Sequence, residues 1–209
     1  YGGDTPGGII VLSPHKLILR DSLFGQTIIN TATNGWGGSL TSKLMKTTSN
    51  GYYVNGQLTA KRFGDLSSPE YVLSNTGMKE MNISFKLGRS KISKGWELNY
   101  SRFQNETGIL RSAHIGNIQD LLRALKEDKP LRIEPFTYRI NAPKQQGLHQ
   151  NIHLIYFNQF NDELKWKLDY NYQVNSRKEF DIRRGVPLDV PAIDLRLQTH
   201  NVLGSLQWK

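Results

Sequence analysis

The sequence contains no cysteine among its 209 residues, which excludes disulfides, thiolate catalysis and zinc–thiolate sites. It also contains no uninterrupted apolar run of the roughly 18 residues that a transmembrane helix needs. Its first residues, YGGDTPGG, are not a basic stretch followed by an apolar one, so they do not look like a signal peptide. These absences predict either an intracellular protein or an internal piece of a longer one.

A recognisable catalytic set is also missing. His149 and His153 have a spacing that would allow them to share a metal ion on a helix. On the extended strand that we predict here, four residues separate the two rings by about 13 Å, which is too far for one ion. No nucleophile is paired with a base at a readable spacing. We therefore expect no enzyme activity, no metal site and no cofactor.

The strongest positive feature is the stretch 164–175, LKWKLDYNYQVN, in which every second residue is apolar without exception. A period of two predicts an extended strand with one apolar and one polar face. Strands of ordinary globular proteins are about 5 to 6 residues long. A transmembrane strand needs about 9 to 11 residues, with its apolar face toward lipid and its polar face toward a wet interior. The stretch therefore favours an outer-membrane barrel.

The same alternation recurs along the chain and predicts an all-β, antiparallel fold of about eight strands. The predicted strands cover 26–33, 38–46, 52–63, 81–88, 96–101, 152–156, 164–175 and 193–208. Short links at 49–51, 89–94 and 161–162 alternate with long loops at 64–78, 107–148 and 176–191. Helical spacing at 117–126, with Asn117 as the N-cap, predicts one short helix inside the second long loop. Short turns at one end and long loops at the other are typical of outer-membrane barrels, with the short turns periplasmic.

The net charge is +9, from 27 Lys and Arg against 18 Asp and Glu. These basic residues are spread over the predicted strand faces and loops, and no helix gathers them into one stripe. The distribution argues against a nucleic-acid partner. It favours a positively charged barrel interior and rim, which would attract anionic ligands and lipopolysaccharide phosphates.

Several segments resemble parts of TonB-dependent outer-membrane receptors. The opening residues Tyr1, Gly2, Asp4, Gly7 and Gly8, followed by an apolar strand at 9–12, are similar to the end of the plug domain in that family. The segments HIGNIQDLLRAL, FTYRINAPKQQGLHQNIHL, YQVNSRKEFDIRRG and PAIDLRLQTHNVLG resemble the barrel of one branch of it. The resemblance covers nearly the whole chain and keeps the family's order of plug end, strands, helix-bearing loop and strands.

This resemblance implies that residues 1–20 are the C-terminal end of the plug and that 21–209 are the N-terminal part of a larger transmembrane barrel. It implies active uptake of a scarce nutrient at the outer membrane, such as an iron–siderophore complex, haem, cobalamin or a glycan. Implied partners are the TonB energy-transducing complex, acting through a missing N-terminal region, a small-molecule or metal-chelate ligand, and outer-membrane lipid with lipopolysaccharide. Receptors of this family close with around 22 strands, so we expect a fragment that cannot transport by itself.

The loop residues that we expect to contact an anionic ligand or to form gating salt bridges are His114, Arg177, Lys178, Glu179, Asp181, Arg183 and Arg184. The plainer interpretation of the 177–185 cluster is a solvated loop with internal salt bridges. For the whole chain, an alternative is a soluble or surface-attached β-sandwich that binds glycan or protein. That alternative predicts strands of about 5 to 6 residues and apolar faces that meet in one core. A complete small barrel acting as an enzyme or adhesin is a third possibility.

Overall fold

The computed structural model describes residues 20–113, 117–130, 132–161, 163–183 and 185–208. The predicted plug-end residues Tyr1, Gly2, Asp4, Gly7 and Gly8 and the strand at 9–12 lie outside these ranges, as do His114 and Arg184. The domain boundary near residue 20 therefore stays a prediction. Everything below concerns the described ranges.

The fold is all-β and antiparallel, as the alternation predicts. The ten strands among the described residues are β1 (Ser22–Ala32), β2 (Gly37–Thr47), β3 (Tyr52–Phe63), β4 (Leu66–Ser67), β5 (Val72–Leu73), β6 (Met78–Ser90), β7 (Lys94–Gly108), β8 (Lys144–Gln159), β9 (Leu164–Phe180) and β10 (Ile193–Trp208). Eight of them form one sheet in the order β1-β2-β3-β6-β7-β8-β9-β10, and β4 pairs with β5 in a small hairpin within a loop. In the large sheet every strand therefore lies beside the strand that follows it within that sheet.

The predicted helix is confirmed as α1 (Ile118–Ala124), preceded by a single 3-10 turn at Arg111–Ala113. Asn117 is its N-cap, because its side-chain oxygen accepts a hydrogen bond from the Asp120 backbone N–H at 2.8 Å. This bond satisfies one of the N–H groups that a helix start leaves unpaired. No helix in the described ranges is long and apolar enough to cross a membrane.

The short links are confirmed at the predicted places, whereas the three long loops are shorter than predicted. β9 continues to Phe180, β8 already begins at Lys144 and β6 at Met78. The loops therefore cover 64–77, 109–143 and 181–192. The polar sequence at 177–179 looked like a loop, but it pairs with both neighbouring strands, since Arg177 lies opposite Gly147 of β8 and Leu195 of β10. Ladder hydrogen bonds on both sides keep such a segment extended whatever its side chains.

The sheet has one apolar face and one polar face. Cross-strand register aligns the apolar residues, so that Leu87, Leu98, Leu154 and Tyr170 lie in one row from β6 to β9. Other members of the apolar face include Leu44, Leu58, Ile83, Phe85, Ile152, Tyr156, Trp166, Leu168, Val202 and Leu206. Because register is specified residue by residue, a slip by one would bring these side chains to the other face.

β10 follows this division only in its second half. Ile193, Leu195 and Leu197 lie opposite Glu179, Arg177 and Asn175, which are on the polar face. Their alternation with Asp194, Arg196 and Gln198 matches the prediction. The structure adds that the faces of this strand are inverted near the long loops, where its polar residues join the apolar face.

The molecule has one layer and no packed core in its described part. Among the described residues only four hydrophobic side chains are buried, namely Tyr53, Ala142, Val174 and Phe180. Phe85 and Leu154, in the middle of the apolar face, are 41% and 43% exposed. A β-sandwich needs a second sheet about 10 Å from the first, and the four-residue hairpin of β4 and β5 does not provide one.

The large sheet is open, with β1 and β10 at its two edges. The short turns, at 48–51, 91–93 and 160–163, all lie at one end of the sheet, which we call the short-turn end. The other end, which we call the long-loop end, carries the β1–β2 turn and the loops at 64–77, 109–143 and 181–192. In an antiparallel sheet of sequential neighbours, successive connections must lie at opposite ends.

Candidate functional site

Charged and amide side chains on the polar face pair with one another along and across the strands. The ion pairs are Lys61–Glu80 at 3.4 Å, Lys86–Glu97 at 3.0 Å and Lys167–Asp169 at 2.9 Å. Glu80 and Glu97 also accept hydrogen bonds from Asn82 and Asn99, at 2.7 and 2.6 Å. In this way Glu80 and Glu97 each have both a cation and an amide donor. Such a surface is suited to contact with water or with another polar surface.

Three aromatic residues of the polar face lie over glycines of the neighbouring strand. A Cβ at Gly88 would be 2.5 Å from Tyr53 Cζ, and one at Gly95 would be 2.6 Å from Phe157 Cε1. The third pair is Phe63 with Gly37, where a Cβ would lie 2.5 Å from the ring. A larger residue at these glycines would displace the ring, so the absence of a side chain there leaves each aromatic ring room against the neighbouring backbone.

His149 and His153 both lie on the polar face of β8, and each has its own partner on β9. His153 Nε2 lies 2.6 Å from Asp169 Oδ1, while His149 Nδ1 contacts Asn175 Oδ1. Between them, Asn151 donates to Asn171 at 2.7 Å. No group of three or more His, Asp or Glu side chains within the described ranges is placed to hold a metal ion.

At the long-loop end, two buried polar residues join the 64–77 loop to the 109–143 loop. Asp65 is 1% exposed and accepts hydrogen bonds from the backbone N–H groups of Thr76 (2.9 Å) and Thr137 (3.1 Å). The Asn75 amide, 5% exposed, donates to the carbonyls of Ile109 (2.9 Å), Asn141 (3.1 Å) and Pro143 (2.8 Å), which lie in the second loop. Buried backbone groups need such partners, so the two loops are held together as one body.

The 109–143 loop also reaches back to the first strands. The Tyr138 hydroxyl donates to the Trp36 carbonyl at 2.6 Å, in the β1–β2 turn. Arg62, at the end of β3, donates to the Tyr138 carbonyl, and the Phe136 ring lies against Gly64. The loop therefore covers the ends of β1 to β3 as well as those of its own strands.

The structure divides the predicted ligand-contact residues between the two faces and a loop. Arg177 and Glu179 lie on the polar face of β9 and pair with each other. Lys178 lies on the apolar face, where its Nζ is 3.2 Å from Asp194 Oδ2. They are on a strand rather than in the predicted loop, because β9 extends to Phe180.

Asp181 and Arg183 belong to the 181–192 loop. Asp181 Oδ1 accepts a hydrogen bond from the Ile182 backbone N–H at 2.7 Å, and Arg183 donates to the Val190 carbonyl at 3.0 Å. The five described residues of the predicted set therefore do not form one patch.

Sequence reasoning did not single out the residues that organise the polar face and the loops. Tyr53 and Glu97 are 44 residues apart, and Asn75 and Pro143 are 68 apart, so no local motif connects either pair. The residue type at Asn75 was a usable local signal, because Asn is enriched among non-glycine residues with positive φ. In the structure the φ of Asn75 is 65°.

The site as a whole offers paired charges, amides and hydroxyls on one surface and an exposed apolar surface on the other. Within the described ranges this arrangement is suited to binding. Comparisons of the chain with protein-family models, with curated proteins and with solved structures found no match.

Proposed function

We propose that this sheet is part of the transmembrane β-barrel of a TonB-dependent outer-membrane receptor that takes up a scarce nutrient. The observation that carries the proposal is the division of apolar and charged residues between the two sides of a single-layer sheet. A barrel wall needs one side compatible with lipid and one compatible with a wet interior. The apolar face of this sheet has no cover from the described residues, and lipid is the cover that we assign to it.

The apolar face of β3 extends from Tyr52 near the short-turn end to Ala60, and the next residue on that face, Arg62, lies opposite Lys79 of β6. Eight residue steps correspond to about 26 Å along a strand, or roughly 20 Å along the membrane normal at the usual strand tilt of about 40°. The apolar band of outer-membrane barrels is about 25 Å tall, so this stretch covers most of it. On β7 the apolar residues end earlier, because Arg102 lies on the same face, opposite Ile83 and Gln150.

Five aromatic residues of the apolar face lie near the short-turn end, as expected for the belt at a membrane interface. They are Tyr52, Trp96, Tyr156, Trp166 and Trp208. The rings of Tyr156 and Trp166 are in contact across strands, with centroids 5.1 Å apart. Tyr53 does not belong to this belt, because it is on the polar face and bonds to Glu97.

In this proposal the polar face lines the barrel interior and the long loops face outside the cell. The short turns are then periplasmic, the arrangement typical of outer-membrane barrels. Further strands must pair with the free edges of β1 and β10, because unpaired edges are not tolerated in the bilayer core. Eight strands alone would enclose an interior just wide enough for side chains, whereas transporters of this type use around 22.

The assignment to TonB-dependent receptors rests on the sequence resemblance, including the plug-end pattern at 1–10. Its consequences are energy from the TonB complex and a ligand such as an iron chelate, haem, cobalamin or glycan. The β-sandwich alternative has no specific observation in its favour within the described ranges.

The barrel wall can be tested with single cysteines, since the chain has none of its own. Leu154→Cys places a probe on the apolar face and Ser84→Cys places one on the polar face. An environment-sensitive fluorophore attached to each would be measured in the full-length protein reconstituted in vesicles containing nitroxide-labelled lipid. We expect the Leu154 probe to be blue-shifted and quenched and the Ser84 probe to be neither. Equal quenching at both positions would overturn the barrel wall.

The transport assignment needs a separate experiment in the source cells. Uptake of labelled ferric siderophore, haem, cobalamin and oligosaccharide would be compared with and without the gene, and with and without TonB. We expect one ligand to depend on both. Uptake that depends on the gene but persists without TonB would refute the receptor class and leave the barrel intact.

A further inference from the structure

The polar face has a hollow in its middle, between β3, β6 and β7, which we call the central hollow. Its volume is about 190 Å³, and it is lined on this face by Gln57, Asn82, Ser84, Ser101 and Phe103. Register places Gln57, Ser84 and Ser101 in one row across the three strands. Asn82 and Phe103 lie opposite each other in the next row. Ile83 and Arg102 complete the lining from the apolar face, where Arg102 donates to Gln104 at 2.8 Å.

Three side chains of the central hollow have hydrogen-bonding groups that are not in use. Gln57, Ser84 and Ser101 make no side-chain hydrogen bond to the described residues. Gln57 and Ser84 are exposed and Ser101 is half-buried, so a ligand can reach all three. An amide and two hydroxyls can each donate and accept. The row is therefore prepared for a ligand that carries both donors and acceptors.

Asn82 adds an acceptor that lacks a donor. Its amide nitrogen donates to Glu80 Oε1 at 2.7 Å. Its Oδ1 is buried and has no hydrogen-bond partner among the described residues, and a buried polar group of this kind calls for an explanation. A ligand hydroxyl in the hollow would supply the missing donor, whereas an ionised carboxylate has no proton to donate.

Phe103 gives the central hollow an apolar wall. Its side chain is 39% exposed although it lies on the polar face. The face of an aromatic ring carries partial negative charge, and the C–H groups on the flat side of a pyranose ring carry partial positive charge. Such a sugar also has hydroxyls around its edge, and one hexose has about the volume of the hollow.

The cations nearest the hollow on the polar face are engaged elsewhere. Lys61 and Lys86 pair with Glu80 and Glu97 at 3.4 and 3.0 Å. Lys43 of β2 extends over an aromatic ring of β1, 5.4 Å from the ring centroid and away from the hollow. Within the described part of the chain, the hollow therefore offers amides, hydroxyls and a ring but no free ammonium group.

We propose that the central hollow is a subsite for one pyranose ring of a neutral oligosaccharide, which stacks on Phe103 and exchanges hydrogen bonds with Gln57, Ser84 and Ser101. The sheet alone defines this subsite. That the bound sugar is the transported nutrient rests on the proposed function, because the polar face lines a transport path only in a barrel. The glycan is then the substrate class, since ionised chelates and the carboxylates of haem would need free cations.

The test uses the purified full-length protein in detergent and a panel of neutral hexasaccharides of glucose, mannose and xylose. Binding would be measured by titration calorimetry for the parent, for Ser84→Ala/Ser101→Ala and for Phe103→Leu. Ser90→Ala/Ser205→Ala removes two hydroxyls elsewhere on the polar face and is the matched control. We expect a hexasaccharide to bind the parent and the control equally, and to bind both hollow variants roughly fivefold more weakly or less.

Two results would overturn the subsite. One is a hexasaccharide that binds both hollow variants as tightly as the parent, and the other is a panel in which no member binds the parent at millimolar concentration. Ferric citrate serves as the anionic probe in the same samples. If its binding falls in the hollow variants, the hollow takes a chelate and the assigned ligand class is wrong.

The Leu154 fluorophore and the uptake experiment separate this proposal from the proposed function. If the fluorophore reports water while the hollow variants lose sugar binding, the membrane proposal fails and the subsite stands. If it reports lipid while the variants bind normally, the subsite alone fails. If the ligand taken up through TonB is a ferric siderophore, the assignment of the substrate class fails.

Discussion

Tyr53 on β3 donates a hydrogen bond of 2.5 Å to Glu97 on β7, across the whole width of β6. The bond is possible because Gly88 of β6 lies directly between them in the register and has no side chain. Glu97 also pairs with Lys86 at 3.0 Å. Three adjacent strands are therefore tied at one point of the polar face, close to the short-turn end.

This junction predicts that Gly88→Ala destabilises the sheet. The new methyl group would be 2.5 Å from Tyr53 Cζ and 2.7 Å from the Trp96 carbonyl oxygen. Overpacking of this kind costs about 1 to 3 kcal/mol. Urea unfolding of the full-length protein in lipid, followed by tryptophan fluorescence, would measure it.

Gly56→Ala is the matched control for that variant. Gly56 is also a strand glycine, but nothing lies within 4 Å of a Cβ built on it. Its alanine variant should be as stable as the parent or slightly more so. Equal destabilisation by both alanines would mean that the Tyr53 junction has no special role.

The two faces predict opposite responses to the same substitution at adjacent positions. Phe85→Arg introduces a charge into the apolar band, at a cost of about 2 to 4 kcal/mol for an arginine near the bilayer centre. Ser84→Arg introduces it on the polar face and should change the free energy of unfolding by less than about 0.5 kcal/mol. Unfolding of both variants in lipid vesicles would give the difference. A smaller effect at Phe85 than at Ser84 would contradict the assignment of faces.

The joined loops predict a local opening in Asn75→Gly. Glycine tolerates the φ of 65° at this position, so the variant removes only the side-chain hydrogen bonds. The Ile109 and Asn141 carbonyls then lose their donor and the Asn141 N–H loses its acceptor, whereas the Pro143 carbonyl still accepts from the Ile109 N–H. Each buried group left unpaired costs about 1 to 3 kcal/mol. We expect trypsin to cut within 109–143 roughly tenfold faster or more. Asn50→Gly, in an exposed turn at the other end of the sheet, should leave this rate unchanged.

The ion pairs of the polar face predict a small effect for Asp169→Asn. The side chains of His153 and Asp169 are 28% and 20% exposed, and Lys167 is 44% exposed. Ion pairs in contact with water contribute at most about 1 kcal/mol, and asparagine keeps an acceptor for His153. We expect the free energy of unfolding to fall by less than about 1 kcal/mol. A loss above about 2 kcal/mol would indicate that this pair is much less hydrated than its exposure suggests.

The sequence determined the strands, the turns and the division into faces. The alternation in 164–174 places six apolar side chains on one side of β9, because successive side chains of a strand point to opposite faces. Asn117 marked the start of α1, because an N-cap is a local interaction. Both features depend only on residues close together in the chain.

Only the tertiary structure decided where the strands end, which strands pair with each other and which charged residues share a cross-strand row. The charged residues at 177–179 are extended because β8 and β10 both pair with them, a constraint from segments about thirty residues upstream and just beyond the next loop. Lys79 and Lys178, which are far apart in the sequence, lie in one cross-strand row through register across β7 and β8. The sequence spacing of such residues does not predict that they share a row. Hydrogen bonds between strands set the register of each pair of strands, and the register of every intervening pair contributes to the final alignment.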